Sequence, residues 1–131
     1  MFESTKDKWQ RRKIIVIVDD DESFAELLRK VLEKNNYMCV CARDGKEGIE
    51  IARLIKPDLM VLDVDLPELN GYDLCAQVKM MNKKLPVVIL TGKFTEPFEK
   101  KIGIGLGAND YITKSIGADH LVSRIARILG E

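Results

Sequence analysis

Five short apolar runs alternate with five amphipathic segments, and this alternation restricts the possible folds more than any other feature of the chain. The runs lie at positions 14–18, 37–42, 58–62, 86–90 and 110–113. The segment after each run has apolar residues at helical spacing, as Phe24, Leu28 and Val31 are in the first. Strands that alternate with helices predict an α/β fold, with a parallel sheet covered by helices on both faces.

The connections between the predicted strands narrow the topology. Right-handed crossovers allow few arrangements, and the common doubly wound sheet of five strands has the order 2-1-3-4-5. In such sheets, ligands bind beyond the carboxyl ends of the strands, at the point where strands 1 and 3 meet. The residues that follow these two strands are therefore the first candidates for a functional site.

Acidic residues follow both of these strands. Asp19 and Asp20 come directly after strand 1, and Asp63 comes directly after strand 3. Neighbouring strands lie about 4.8 Å apart, so the fold gathers these carboxylates in one crevice. Close carboxylates repel, and one would be protonated unless a cation neutralised them. A hard, oxygen-seeking ion such as Mg²⁺ fits this set of ligands.

Strands 4 and 5 are ended or followed by side chains of a different type. Thr91 ends strand 4 with a hydroxyl group, and Lys114 follows strand 5 with a positive charge. An aspartate can attack a phosphoryl group to form an aspartyl-phosphate. A metal ion and a lysine can then neutralise the charge of the transferred group. Together these residues predict a site that handles phosphoryl groups.

Composition limits the classes of protein that the chain could represent. Its 131 residues fit one domain, with residues 1–12 predicted as a polar tail and 13–131 as the domain. Lys plus Arg and Asp plus Glu number 21 each, which favours neither a nucleic-acid nor a membrane-surface partner. No apolar run has the length of a membrane span, and the three cysteines show no metal-ligand spacing. We therefore expect a cytoplasmic protein.

Four motifs in order carry a resemblance to a known family. The motifs are "VDD" at 18–20, "LDVDLPELNG" at 62–71, "LTG" at 90–92 and "DYITK" at 110–114. Over roughly residues 13–130 the chain resembles the receiver domain of two-component response regulators. The resemblance implies a flavodoxin-like sheet of order 2-1-3-4-5. It also implies a phosphorylation-dependent signalling switch that is not an enzyme in the usual sense, with a histidine kinase or phosphorelay protein as phosphodonor and an unknown downstream partner or output domain.

The same resemblance implies roles for the acidic residues. Asp63 resembles the phosphoacceptor, Asp20 the direct ligand of Mg²⁺, and Asp19 its water-mediated companion. The backbone carbonyl of Asp65 resembles the third protein ligand of the metal. Asp21 is instead expected to cap the first helix, a position that favours aspartate.

Further roles concern the switch. Thr91 resembles the hydroxyl that closes on the phosphoryl group, Lys114 the lysine that contacts it, and Tyr111 the aromatic residue that swings inward with the threonine. The signal would pass through the face of helix 4, strand 5 and helix 5. Asp65 and Lys93 take the positions that flank the mouth of the site in the family, and we expect their opposite charges to slow the loss of phosphate.

One position departs from the family pattern. Receiver domains usually have Lys-Pro with a cis peptide bond here, whereas this chain has Lys114-Ser115. A cis bond before a residue other than proline costs about 3 to 4 kcal/mol. We therefore expect a trans Lys114–Ser115 bond and a rearranged loop before the last helix.

Two alternative functions remain open. The "DVDLP" sequence at 63–67 faintly resembles the start of haloacid-dehalogenase-type phosphohydrolases, but it follows strand 3 rather than strand 1, and Leu66 and Pro67 depart from that pattern. The second alternative is a receiver fold that serves as a docking module without taking up phosphate. The presence of Asp63, Thr91 and Lys114 favours the phosphorylated switch over both.

Overall fold

The computed structural model describes residues 12–92 and 97–131, with Phe98 described only by its backbone. Five strands alternate with five helices, as the sequence predicts. The strands are β1 (Ile14–Val18), β2 (Met38–Ala42), β3 (Leu59–Asp63), β4 (Val87–Thr91) and β5 (Asp110–Thr113). The helices are α1 (Glu22–Lys34), α2 (Gly45–Ile55), α3 (Gly71–Met81), α4 (Pro97–Gly105) and α5 (Ala118–Ile128), and a 3₁₀ turn covers Lys114–Ile116.

The strands form one parallel sheet of order β2-β1-β3-β4-β5, which confirms the predicted topology. β1 therefore lies between β2 and β3, and the pairing of Val18 with Leu62 brings the carboxyl ends of β1 and β3 level with each other. Asp19, which follows β1, and Asp63, the last residue of β3, therefore lie at the same edge of the sheet.

Alternate residues of the central strands enter two separate cores. Val16, Met60 and Leu62 face one side, where they pack with α2 and α3. Ile15, Ile17, Leu59 and Val61 face the other side, where they pack with α1 and α5. Because both faces of β1 and β3 are covered, these strands are apolar throughout until they reach the acidic residues.

Short polar side chains fix where the helices begin. Asp21 caps α1, because its carboxylate accepts a hydrogen bond from the Phe24 N–H at 3.1 Å, as the sequence predicts. Asp44 caps α2 and Asn70 caps α3 in the same way. These caps satisfy backbone donors that the first turn of a helix leaves without partners.

Candidate functional site

Three carboxylates meet where β1 and β3 end. Asp19 and Asp63 are buried, Asp20 is exposed, and one oxygen from each residue lies within 4.8 Å of the other two. The parallel pairing of β1 and β3 explains this proximity, because both strands end at the same edge of the sheet. The predicted clustering of Asp19, Asp20 and Asp63 is therefore confirmed.

Lys114 brings a positive charge to these carboxylates. Its Nζ atom lies 2.7 Å from Asp19 Oδ2 and 3.7 Å from Asp63 Oδ2, and the side chain is mostly buried. The lysine begins the 3₁₀ turn after β5, and its peptide bond to Ser115 is trans, as expected from the sequence. The lysine thus reaches the acidic cluster from a loop that lacks the proline of the family pattern.

The aromatic ring of Phe24 lies beneath the same ammonium group. Lys114 Nζ is 4.6 Å from the centre of the ring, a distance at which a cation is attracted to the face of an aromatic side chain. The sequence predicts only that Phe24 lies on the apolar face of α1. Its contact with Lys114 depends on how closely α1 approaches the loop after β5, which helical spacing does not reveal.

The surroundings of Asp63 favour its protonated form. Burial and the neighbouring charge of Asp19 raise the pKa of Asp63 to about 6, although the Lys114 ammonium and the Asp65 N–H oppose this effect. Burial alone would lower the pKa of Lys114, but its close contact with the Asp19 carboxylate and the charge of Asp63 raise it overall. At neutral pH, an ionised Asp63 therefore lies beside a firmly protonated lysine.

The cluster has the ligands that a hard cation requires. All donors are carboxylate oxygens, which Mg²⁺ prefers. Asp19 Oδ1 accepts a hydrogen bond from the Asp21 N–H at 2.9 Å. Asp19 Oδ2 is buried and accepts no well-directed hydrogen bond from any residue in the described part of the chain, although the Lys114 ammonium is near it. These oxygens therefore fit a divalent ion.

Gly71 permits the sharp turn after β3. The Gly71 N–H donates a hydrogen bond to the Val64 carbonyl at 3.0 Å, which folds the loop back onto the strand. A Cβ atom at this position would collide with the main chain of Asp63 and Val64. The absence of a side chain at position 71 allows α3 to start against the acidic residue itself.

Asp65 lies at the exposed start of this loop. Its N–H points to Asp63 Oδ1 at a distance of 3.4 Å, and its side chain is exposed. Lys93, the other residue predicted at the mouth of the site, lies outside the described residues. The effect of this pair on the loss of phosphate stays a prediction.

Thr91 and Tyr111 occupy neighbouring strands. Thr91 is buried at the end of β4, opposite Thr113 of β5. Tyr111 of β5 is also buried, and its ring faces the core that contains α2 and α3. The sequence predicts an aromatic residue that moves inward on activation, and in this structure Tyr111 already lies inside.

A second tyrosine contacts Tyr111 in this position. The hydroxyl groups of Tyr72 and Tyr111 are 2.6 Å apart, and their rings stack with centroids separated by 6.1 Å. Tyr72 is the second residue of α3, directly after Gly71, so the fixed start of that helix determines where its ring lies. The sequence offers little signal for this contact, because Tyr72 and Tyr111 are 39 positions apart.

Comparison with known proteins identifies the class to which this fold and site belong. The model of the response regulator receiver domain family matches residues 15–126. The chain therefore belongs to the receiver domain family of response regulators.

Curated proteins of several bacteria are similar to this chain. The chain is 42% identical over 117 residues to the alkaline phosphatase synthesis transcriptional regulatory protein PhoP of Bacillus subtilis, across 89% of this chain and 48% of PhoP. It is 35% identical over 115 residues to the response regulator MprA of Mycolicibacterium vanbaalenii, across 88% of this chain and 49% of MprA. The chain thus spans about half the length of the curated relatives that it matches.

Solved structures share the fold. The receiver domain of the Francisella response regulator 1452 is 28% identical, with a TM-score of 0.85 over 91% of this chain and 98% of that one. The signal receiver domain of a histidine kinase from Syntrophus aciditrophicus is 34% identical, with a TM-score of 0.80 over 90% of both chains. In the described part of this chain, no helix is both long and apolar enough to cross a membrane.

Proposed function

We propose that the chain is a phosphorylation-dependent signalling switch in which Asp63 accepts a phosphoryl group from a histidine kinase or a phosphotransfer protein. One observation carries this proposal: the buried Asp63 ends β3 beside two other carboxylates, with the Lys114 ammonium 3.7 Å from its Oδ2 atom. A buried ionised group needs a partner of this kind, and the arrangement leaves a nucleophilic oxygen next to positive charge.

The transfer proceeds by attack of an Asp63 carboxylate oxygen on phosphorus. The new phosphorus–oxygen bond forms as the phosphorus–nitrogen bond of a phosphohistidine breaks, and the imidazole nitrogen keeps the electron pair. The product is an acyl phosphate on Asp63, which water later hydrolyses to restore the carboxylate. The chain undergoes this chemistry on itself, so we class it as a signalling domain rather than an enzyme.

The surrounding residues divide the work of stabilising the transferred group. Asp19, Asp20, Asp63 and the backbone carbonyl of Asp65 would hold Mg²⁺. When bound, the ion supplies positive charge to the phosphoryl oxygens. Lys114 would exchange its contact with Asp19 for one with a phosphoryl oxygen, because its ammonium group already lies 3.7 Å from Asp63 Oδ2.

The signal would pass from the phosphoryl group to the face formed by α4, β5 and α5. The Thr91 hydroxyl would donate a hydrogen bond to a phosphoryl oxygen. Tyr111 on the neighbouring strand would move together with Thr91. α4 is suited to such remodelling because it contains Gly103 and ends at Gly105, and a glycine inside a helix costs about 1 kcal/mol relative to alanine. We place this activity in the cytoplasm, without direct nucleic-acid or membrane binding by this domain.

Intact-mass analysis tests the proposal. The chain is incubated with acetyl phosphate, with and without Mg²⁺, beside an Asp63→Asn variant. We expect the wild type to gain the mass of one phosphoryl group only when Mg²⁺ is present, and the variant to gain none. Equal gain in both proteins would exclude Asp63 as the acceptor.

A docking module that works without phosphate is the alternative. It would give no mass increase under any of these conditions, although the fold would be intact. The cluster of three carboxylates favours the phosphorylated switch. Carboxylates this close repel one another, even with Lys114 paired to Asp19, and a permanent docking domain would not require them.

A further inference from the structure

A groove with exposed apolar residues runs between α2 and α3, away from the acidic site. Its centre is a depression of about 250 Å³, lined by Ile49, Arg53, Gln77, Met80 and Met81. This α2–α3 groove continues at both ends into larger depressions. One of about 390 Å³ lies at the start of α2, and one of about 370 Å³ lies at its end. Arg53 lines all three, so they form one continuous surface feature.

Two methionines at the centre of the groove are open to solvent. Met80 is 87% exposed and Met81, the next residue of α3, is 38% exposed. Single exposed apolar residues are ordinary, but large ones gathered along a groove indicate a surface that another molecule covers. Methionine is common on such surfaces because its flexible side chain adapts to a partner.

The two ends of the groove carry opposite charge. The site end, where α2 starts and the loop after β3 passes, is lined by three acidic residues, Asp44, Glu50 and Glu68, and by two basic ones, Lys46 and Arg53. The far end, where α2 finishes, is lined by Arg53 and Lys56 and by no acidic residue. Lys83 and Lys84 are exposed in the segment between two residues that line this end.

These charges form no ion pairs within the described part of the chain. The ion pairs of the described residues include neither Glu50, Glu68, Arg53 nor Lys56, although Glu50 and Arg53 are only three residues apart on α2. Residues three positions apart on a helix are close enough to pair. Apart from Asp44, which caps α2, the charged side chains at the two ends are therefore available to meet charges on another molecule.

A groove that is acidic at one end, apolar in the middle and basic at the other end is complementary to itself. A two-fold axis through the centre would set the basic end of one copy against the acidic end of the other, and would bring the two apolar centres together. Isologous contacts of this kind use the same patch on both subunits. We propose that the α2–α3 groove binds a second copy of this chain, in antiparallel orientation.

The expected contact is modest in size. α2 has 11 residues, which corresponds to a length of about 16 Å along the groove. A surface of this length belongs to the weak, reversible class of interfaces rather than to permanent dimers. Salt should weaken the contact, because its charges are exposed and screened.

Sedimentation of the unphosphorylated chain in the presence of EDTA tests the proposal. We expect a monomer–dimer equilibrium as the concentration rises towards the millimolar range. Met80→Ser should weaken dimerisation at least about tenfold. Leu27→Ser is the matched control, because Leu27 is 52% exposed on α1, on the other side of the sheet, and should have no effect.

Charge reversal tests the orientation. One variant reverses the far end (Arg53→Glu with Lys56→Glu), and the other reverses the site end (Glu50→Lys with Glu68→Lys). Each variant alone would place like charges together at both ends and should be monomeric. An equal mixture should form a heterodimer, because one groove is then acidic throughout and the other basic throughout.

Three outcomes would overturn the proposal. They are a wild-type chain that stays monomeric at every concentration, a dimer whose dissociation constant is insensitive to both Met80→Ser and the charge reversals, and a mixture of the two reversed variants that does not associate. None depends on phosphate uptake by Asp63, so failure here leaves the proposed function untouched.

Discussion

The ammonium group of Lys114 lies 2.7 Å from Asp19 and a full ångström farther from Asp63, the residue that it is expected to serve. In the metal-free chain, the lysine thus mainly compensates the charge of Asp19. Lys114 stabilises the ionised form of Asp63 less strongly. The pKa of Asp63 is therefore raised to about 6 by burial and by the Asp19 charge. The site therefore stores unfavourable electrostatic energy around Asp63 when no cation or phosphoryl group is bound.

This stored energy predicts a pH-dependent gain in stability for Asp63→Asn without metal. The Asp63 pKa is about 6 in the folded chain and near its ordinary value of 3.8 in the unfolded chain. The folded state thus holds the proton more tightly, so the contribution of Asp63 to the unfolding free energy falls as pH rises from about 4 to about 6. Above that range, the asparagine variant should be more stable by on the order of 2 kcal/mol.

Urea unfolding in EDTA at pH 4 and at pH 7.5 measures this difference. The gain should be present at pH 7.5 and small at pH 4, where Asp63 is protonated in the folded chain. Asp119→Asn serves as a control, because Asp119 is exposed in the first turn of α5 and its replacement relieves no buried charge. A variant that is less stable than the wild type at both pH values would contradict this description of Asp63.

Neighbouring acids in the sequence should respond differently to substitution. Asp20 is exposed and lies within the carboxylate cluster, so Asp20→Ala should abolish Mg²⁺ binding and leave metal-free stability equal or higher. Asp21 caps α1, so Asp21→Ala should cost about 1 kcal/mol and retain Mg²⁺ binding. Calorimetric titration with Mg²⁺ and urea unfolding in EDTA separate the two effects. A large loss of metal-free stability in Asp20→Ala would make that residue structural.

Much of this arrangement could be predicted from the sequence because it follows from periodicity. The apolar runs and their order along the chain fix a parallel sheet, and the sheet alone places Asp19 beside Asp63. Asp21 could be assigned as a cap because capping depends on the next three residues. Each of these inferences uses either local spacing or the regular geometry of parallel strands.

The contacts of Phe24 and Tyr72 could not be predicted in the same way. Phe24 reaches Lys114 across 90 positions, and Tyr72 reaches Tyr111 across 39. Both contacts depend on the angle and depth at which a helix packs on the sheet, which differ by a few ångströms between proteins of one fold. Helical spacing shows that Phe24 faces inward, but it does not show which loop the ring meets.

The contact between Phe24 and Lys114 should have a measurable coupling energy. Phe24→Leu keeps most of the apolar volume but removes the aromatic face. In a double-mutant cycle with Lys114→Met, measured by urea unfolding in EDTA, we expect a coupling of about 0.5 to 1 kcal/mol. If the two substitutions are additive, the ring merely fills space beneath the lysine.

Glycines 103 and 105 of α4 should differ in their tolerance of alanine. A Cβ atom at Gly103 would lie 2.8 Å from Tyr111 Cδ2, whereas one at Gly105 would have no neighbour within 4 Å. Gly103→Ala should therefore displace the Tyr111 ring and cost about 1 to 3 kcal/mol. Gly105→Ala should be neutral or stabilising by up to about 1 kcal/mol. Urea unfolding compares the two, and equal effects would mean that Tyr111 does not pack on α4 as described.

The most direct test of the central claim is to locate the phosphoryl group by chemical trapping. Sodium borohydride reduces an aspartyl phosphate to homoserine, which marks the modified position permanently. After treatment with acetyl phosphate and Mg²⁺, trypsin should release a peptide of residues 54–79 that contains Asp58, Asp63, Asp65 and Asp73. Fragmentation of this peptide by mass spectrometry should place homoserine at position 63, and only in samples that contained Mg²⁺. Homoserine at another aspartate, or no homoserine in a correctly folded sample, would contradict the assignment of Asp63 as the phosphoacceptor.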